Sequence, residues 1–189
     1  TQSGVIVPKP GSPNIYFVFT VDYTANAGGI AYSEVDMTLD GGLGDINSVK
    51  NIQLVTPACE KITAVLHENK QDIWVIGHAW SSSNYMAWLV STTGVEINPV
   101  ISTVGVYTGP VGISSFNTIG YLKASAEGDR IAAAHWYDLN QVEIFDFDIS
   151  PIINIILKSI IITTLYLVLV IKLSISEQIN VLLKRFVKL

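Results

Sequence analysis

The stretch "DIWVIGHAW" at residues 72–80 has the apolar, β-branched and aromatic composition of a buried strand, and it ends at the polar residues "SSSN". A shift of 58 residues overlays "IYFVFTVD" (15–22) on this stretch. A shift of 57 in the other direction aligns His78 with His135 and Trp88 with Phe145. Self-similarity at a nearly constant spacing is typical of repeat architectures. We therefore predict three related strands, one in each of three copies of a repeat.

The middle copy indicates what the repeat contains. Four strand-like stretches follow one another with short turns between them: "KITAVLHE" (61–68), "DIWVIGHAW" (72–80), "NYMAWLVST" (84–92) and "VEINPVIST" (95–103). Four antiparallel strands in a meander are typical of a β-propeller blade, and propellers close with about 4–8 blades. We predict that residues 1–150 are all-β and form a partial WD40-like propeller of about 2.5 blades. The first copy is expected to lack its opening strand, and the last, at 119–148, to end after its third.

Composition and charge limit the classes of function. The 189 residues are 49% hydrophobic and 14% charged, which is typical of a chain that buries a core. The net charge of −5 gives no electrostatic support for binding nucleic acid, and we predict no such partner. A single cysteine, Cys59, excludes an internal disulfide and a cysteine-based metal cluster.

Several stretches taken together resemble a known group of proteins. They are "VPKPGSPNIYFVFTVD" (7–22), "AYSEVDMTLDGGLGDI" (31–46), "EKITAVLHENKQDIWVIGHAW" (60–80) and "IGYLKASAEGDRIAAA" (119–134). The chain resembles the N-terminal propeller-like region of large secreted, gliding-motility-associated proteins of Bacteroidetes-type bacteria, which leave the cell by the type IX secretion system. The resemblance implies export, a secreted or cell-surface location and a WD40-like propeller. It implies no catalytic activity and no cofactor.

The acidic, glycine-rich stretch "DMTLDGGLGDI" (36–46) is the first candidate for a ligand site. The spacing of its carboxylates does not match an EF-hand loop, and no Gly-Lys-Ser/Thr run suits a phosphate loop. We predict a connection between two strands in which the glycines supply positive φ angles and Asp40 and Asp45 bind nearby backbone amides. No metal site is predicted, and Asp40 and Asp45 are the pair that would contact a Ca²⁺ ion if one bound.

Histidines and nucleophiles give no catalytic pattern. His78 and His135 occupy equivalent repeat positions, so we expect each to have its own, similar structural environment and to form hydrogen bonds within or between blades. No zinc-binding or Gly-x-Ser-x-Gly spacing is present, and Cys59 has no identifiable base. We therefore predict no catalytic residues and interpret Cys59 as a buried small residue.

Four tryptophans lie in or beside the predicted strands: Trp74, Trp80, Trp88 and Trp136. The ordinary use of such residues is as aromatic anchors packed between blades. A surface on which a carbohydrate stacks is the alternative.

Residues 151–189 differ from the rest of the chain. They carry 22 Ile, Leu or Val residues and no glycine, whereas residues 1–150 hold all fourteen glycines. By hydropathy, residues 151–173 are long enough to span a membrane, although Lys158 lies inside the run. The alternative is an out-of-frame translation, because the tail interrupts a blade. We predict an aberrant apolar tail that is helical or disordered, with a membrane as partner only if 151–173 is an anchor.

These observations favour a non-enzymatic binding or structural propeller module of an exported cell-surface protein, linked to gliding motility or adhesion, with a protein or a surface glycan as partner. The alternatives are a propeller enzyme, a hydrolase or dehydrogenase with its site on the central channel, and a membrane-anchored sensor. The enzyme reading requires Asp, Glu and His side chains from several blades to converge, and Asp22, Asp138 and Asp146 fall at differing repeat positions.

Overall fold

The structure is a computed structural model that describes residues 2–112, 114–150 and 159–163. Its strands form three antiparallel sheets, none of which closes on itself. Within residues 2–112 and 114–150 the helical segments are three short 3-10 turns, at Tyr23–Ala25, Asp40–Gly42 and Phe116–Thr118. The prediction of an all-β chain without long helices is confirmed for these residues.

The first sheet follows the order β1-β2-β3-β4, and β5 also pairs with β3. Its strands are β1 (Gly4–Pro8), β2 (Ile15–Val21), β3 (Ile30–Asp36), β4 (Asp45–Ile46) and β5 (Ile52–Val55). The predicted strand at 15–22 is therefore confirmed. The expectation that the first copy lacks an opening strand is wrong, because β1 pairs along its whole length with β2.

The second sheet follows the order β6-β7-β8-β10, and β9 also pairs with β8. Its strands are β6 (Ala58–Leu66), β7 (Ile73–Ala79), β8 (Ser82–Ser91), β9 (Gly94–Val95) and β10 (Val100–Thr108). All four stretches predicted for the middle copy are strands. The fourth is divided into β9 and β10.

The third sheet follows the order β11-β12-β13-β14. Its strands are β11 (Gly120–Ala124), β12 (Arg130–His135), β13 (Gln141–Asp146) and β14 (Ser159–Thr163). The expectation that the last copy ends after its third strand is wrong, because β14 pairs with β13. Residues 159–163 are also a strand rather than helical or disordered, since their backbone completes the hydrogen bonding of β13.

The remainder of the tail, residues 151–158 and 164–189, lies outside the described residues, and so does most of the candidate membrane span at 151–173. Among the residues that are described, no helix is long and apolar enough to cross a membrane.

Two hydrophobic cores hold the three sheets together, and the second sheet takes part in both. One face of the second sheet packs Val75 and Trp88 against Phe17 and Phe19 of the first sheet. Its other face packs Trp74 and Ile76, among others, against the third sheet. Successive residues of a strand point to opposite faces, so β7 needs apolar side chains at nearly every position because it is covered on both sides. This explains why "DIWVIGHAW" is an unbroken apolar run.

The contact between the first two sheets depends on a glycine. A methyl group at Gly77 on β7 would collide with the Cδ1 atom of Ile30 on β3. The absence of a side chain at Gly77 therefore lets Ile30 fill the first core.

We expect the Gly77→Ala substitution to reduce the free energy of unfolding by about 1–3 kcal/mol, because extra atoms in a packed core force neighbours to shift. Ile30→Val removes the obstructing Cδ1 atom and alone costs about 0.5–1.5 kcal/mol. The double variant should lose less free energy of unfolding than the sum of the two single losses, because the shortened side chain at residue 30 makes room for the new methyl group. Urea unfolding measures all four proteins, and strict additivity would contradict the packing of β3 on β7.

Candidate functional site

Polar side chains from the second and third sheets meet in the interior. β6 supplies Cys59 and Lys61, β7 supplies His78, β12 supplies His135, and β13 supplies Glu143. All five are buried, with Lys61 and Glu143 fully inaccessible to solvent. Charged side chains are rarely buried completely unless they are paired, so their partners decide what the cluster does.

Lys61, His135 and Glu143 form a chain of hydrogen bonds across the two sheets. The Nζ atom of Lys61 lies 2.8 Å from Nδ1 of His135, and Nε2 of His135 lies 2.7 Å from Oε2 of Glu143. An ammonium group only donates hydrogen bonds, so Nδ1 accepts and Nε2 carries the hydrogen that is donated to the carboxylate. The chain therefore places a cation and an anion at either side of a neutral imidazole.

Two further donors complete the surroundings of Glu143. The backbone N–H of Val106 donates to Oε1 at 2.9 Å, and the hydroxyl group of Tyr85 donates to Oε2 at 3.2 Å. Burial, together with the charge of Glu143, raises the pKa of Tyr85 well above its usual value, so the hydroxyl keeps its hydrogen. The carboxylate thus receives donors from β8, β10 and β12, which ties both sheets to one side chain.

Burial dominates the ionisation of the other two members. It lowers the pKa of Lys61, and the negative charge of Glu143 partly opposes this effect. It also lowers the pKa of His135, against the hydrogen bond to Glu143. Both shifts follow from the cost of holding a charge away from water.

His78 and Cys59 form a second pair beside this chain. Nδ1 of His78 lies 2.8 Å from the carbonyl oxygen of Ala79 and 3.4 Å from the Sγ atom of Cys59, whereas no partner for Nε2 lies among the described residues. Burial lowers the pKa of His78 to about 3 and raises the pKa of Cys59 to about 12. A neutral, buried thiol is a poor nucleophile, in agreement with the interpretation of Cys59 as a buried small residue.

His78 and His135 do not occupy separate, equivalent environments, and that expectation is wrong. Their ring centroids are 6.4 Å apart, so the two side chains face each other from adjacent sheets. Val75 on β7 and both Ile131 and Ala133 on β12 face the preceding sheet, so the true shift between these strands is an even number, 56 or 58, rather than 57. A slip of one residue turns every side chain to the other face, which explains the error.

We expect Lys61→Met to destabilise the fold by about 3–5 kcal/mol, because the variant leaves the Glu143 carboxylate buried without a counter-charge. Adding Glu143→Gln removes that charge, so the double variant should be less destabilised than the sum of the two single ones. The exposed Lys123→Met is the control and should change stability by less than about 0.5 kcal/mol. Urea unfolding curves measure each, and independent effects would contradict the hydrogen-bonded chain.

Stability should fall in mild acid. In the unfolded chain His78 gains a proton below its ordinary pKa of 6.5. In the folded chain it stays neutral, because burial lowers the pKa of His78 to about 3. The contribution of neutral His78 to the free energy of unfolding is therefore fully present above pH 6.5. Below that pH it decreases by up to about 1.4 kcal/mol per pH unit. His135 adds a loss of the same sign. Unfolding curves at pH 7.5, 6 and 5 test this, and equal stability at all three would contradict it.

The acidic, glycine-rich stretch links β3 to β4, as predicted. Gly41, Gly42 and Gly44 have positive φ angles, and Asp45 accepts a hydrogen bond from the N–H of Ile46 at 2.7 Å. The prediction for Asp40 is wrong, because its backbone carbonyl, and not its carboxylate, accepts the hydrogen bond, from the N–H of Leu43. Within the part of the chain that the structure describes, no group of three or more His, Cys, Asp or Glu side chains is arranged to hold a metal ion.

The tryptophans divide into two kinds. Trp74 and Trp88 are buried in the two cores, which confirms that they anchor neighbouring sheets, and Trp80 is half-buried. Trp136 is different because its side chain is 52% exposed. The expectation that Trp136 packs between sheets is wrong: β12 ends at His135, so Trp136 lies in the turn that follows.

Trp136 belongs to an exposed group of three aromatic side chains, which we call the aromatic platform. Phe116 lies 6.0 Å from Trp136 and 5.5 Å from Tyr137 between ring centroids, and Trp136 lies 5.9 Å from Tyr137. Phe116 and Tyr137 are 41% and 44% exposed. Apolar surface gathered at one place in this way marks sites of interaction more often than single exposed residues do.

The backbone beneath the platform is held firmly. Tyr137 has a φ angle of +64°, which is uncommon for a bulky residue and stores about 1–3 kcal/mol of strain. The buried side chain of Asn117 accepts from the N–H of Asp138 at 3.2 Å and donates to the carbonyl of Gly109 at 3.1 Å. The two turns that carry the platform are therefore joined by a polar side chain in the interior.

Glu60 connects this region to the rest of the molecule. Its buried Oε1 atom accepts from the N–H of Thr24, in the turn between β2 and β3, and from the hydroxyl group of Thr118, in the turn before β11. The backbone of Glu60 also forms a parallel bridge with Ile119. One carboxylate thus binds the loops of the first and third sheets at the same end of the molecule.

In comparisons with known proteins, no protein family, no curated protein and no solved structure matches the chain.

Proposed function

We propose that the chain is a non-enzymatic binding module of an exported cell-surface protein, and that its ligand contacts the aromatic platform of Phe116, Trp136 and Tyr137. The observation that carries this proposal is the exposure of three adjacent rings on two neighbouring turns, one of which is strained at Tyr137. Backbone strain of this kind concentrates at functional sites, where the surrounding structure maintains it.

We propose further that the three sheets are successive blades of a partial propeller. Three features support this reading. Each sheet is an antiparallel meander of the same order, the second strands recur at a nearly constant spacing, and β6 and β11, the first strands of neighbouring sheets, are bridged in parallel through Glu60 and Ile119. With β1 and β14 included, the count becomes about three blades rather than two and a half.

The buried cluster favours a structural role over catalysis. Lys61 and Glu143 are inaccessible to solvent, so a substrate has no path to them. Each charged member is satisfied by another member of the cluster. Groups arranged in this way join two sheets, whereas a catalytic site needs its reactive atoms to meet a substrate.

Export, and a role in gliding or adhesion, remain proposals that rest on the resemblance to secreted gliding-motility proteins. Labelling of intact cells of a gliding bacterium that expresses the full gene, with a reagent that does not enter cells, is the check, and protein left unlabelled would contradict export. The membrane-anchored sensor depends on residues 151–173, most of which lie outside the described part of the chain.

The binding proposal predicts that the protein cosediments with envelope fragments of a gliding Bacteroidetes-type bacterium through the aromatic platform. Replacing Phe116, Trp136 and Tyr137 together by Ala should reduce the bound fraction at least tenfold. Exposed aromatic residues of this kind contribute most of the binding energy at many interfaces.

Tyr121→Ala is the matched control, because Tyr121 is an aromatic residue of similar exposure on β11, outside the platform. It should bind as the unmodified protein does. Equal binding of the triple variant and the control would contradict the proposal, provided that circular dichroism shows both to be folded.

A further inference from the structure

We infer that the aromatic platform is a carbohydrate-binding site that takes a neutral oligosaccharide. This inference rests on the proposed binding function and names the chemical class of the ligand. It is argued from the angles between the rings, the area they expose and the charges around them.

The three rings suit sugars because they are not stacked on one another. Phe116 is inclined by 43° to Trp136 and by 78° to Tyr137, and Trp136 is inclined by 59° to Tyr137. The exposed surface of the three residues is therefore not covered by stacking of one ring on another. A pyranose ring has an apolar face of C–H groups, which packs on an aromatic face, while its hydroxyl groups point outward to polar partners.

The exposed area favours a sugar over a protein. An aromatic side chain buries about 150–250 Å² when it is fully covered, so three side chains that are roughly half exposed offer about 300 Å². A standard protein interface buries about 800 Å² on each partner. The platform is too small to be such an interface by itself, but it is large enough for one to three sugar rings.

The charges near the platform favour a neutral ligand. Residues 107–122 and 131–140 contain no Lys or Arg, and they contain one acidic residue, Asp138, which is exposed directly beside Tyr137. An anionic glycan would find no cation on these two segments and would be repelled by Asp138. A carboxylate accepts hydrogen bonds from adjacent hydroxyl groups of a neutral sugar, and this fixes the ligand's orientation.

The platform is also prepared before the ligand arrives. Asn117 anchors the turn through Asp138 and Gly109, and Glu60 anchors the preceding 3-10 turn through Thr118. A site whose side chains are already in place loses less conformational entropy on binding. Glu60 therefore helps to hold the 3-10 turn that carries Phe116.

The fluorescence of Trp136 provides the direct test in a protein that carries Trp80→Phe, since Trp74 and Trp88 are buried and Trp80 is half-buried. Neutral hexasaccharides of glucose, N-acetylglucosamine and mannose are the probes, and a hexamer of galacturonic acid is the anionic control. At millimolar concentration at least one neutral hexamer should reduce acrylamide quenching of the tryptophan emission at least twofold, whereas the anionic hexamer should not. Quenching that no neutral hexamer reduces would overturn the inference.

Single variants distinguish the contribution of an aromatic ring to binding from the effect of the backbone conformation on stability. By calorimetry, Trp136→Ala should weaken binding of the neutral hexamer at least tenfold, and Tyr121→Ala should leave it unchanged. Tyr137→Ala and Tyr137→Gly both remove the ring, and both should weaken binding. Glycine accepts the positive φ angle, so the Gly variant should nevertheless unfold at a higher urea concentration than the Ala variant. Unchanged affinity in Trp136→Ala would overturn the site.

Treated envelope fragments distinguish this inference from the proposed function. If the inference is correct, periodate oxidation of the fragments abolishes binding through the platform and proteinase treatment does not. If proteinase abolishes binding and periodate does not, the ligand is a protein: the carbohydrate inference fails and the proposed binding function stands. If the triple platform variant binds untreated fragments as well as the unmodified protein does, both fail.

Discussion

Lys61 lies in the interior between two sheets, and its ammonium group reaches Glu143 only through the imidazole ring of His135. Removing one member leaves a buried charge without compensation, so the three residues hold their sheets in one relative position. The carboxylate of the neighbouring residue, Glu60, binds the turn between β2 and β3. Two consecutive residues of one strand therefore connect it to the first and the third sheets.

The same strand links the interior to the proposed binding surface. The Glu60 carboxylate that receives the N–H of Thr24 also receives the hydroxyl group of Thr118, two residues after Phe116 of the platform. A ligand on the aromatic rings thus contacts a turn that depends on the packing of all three sheets. In this account the buried polar residues serve binding indirectly, by keeping the strained turn at Tyr137 in place.

The sequence was sufficient to predict β2, β7 and the all-β class, because apolar runs of strand length recur at regular spacing. It was not sufficient for the cluster. Lys61 and His135 are 74 residues apart in the chain, and only the packing of two sheets brings them together. A charged residue directly before the mostly apolar run "ITAVL" was the available signal. Trp136 was misplaced because nothing local indicates that β12 ends one residue before it.

His135 is a neutral bridge between Lys61 and Glu143. Nitrogen-15 NMR of labelled histidine side chains measures this directly, because each ring nitrogen reports whether it carries hydrogen. The account predicts that His135 is protonated on Nε2 alone at pH 7 and stays so at pH 5.5, and that Lys61→Met changes the resonance of its Nδ1. A His135 ring that titrates near 6.5 like that of a free histidine, with no response to Lys61→Met, would contradict it.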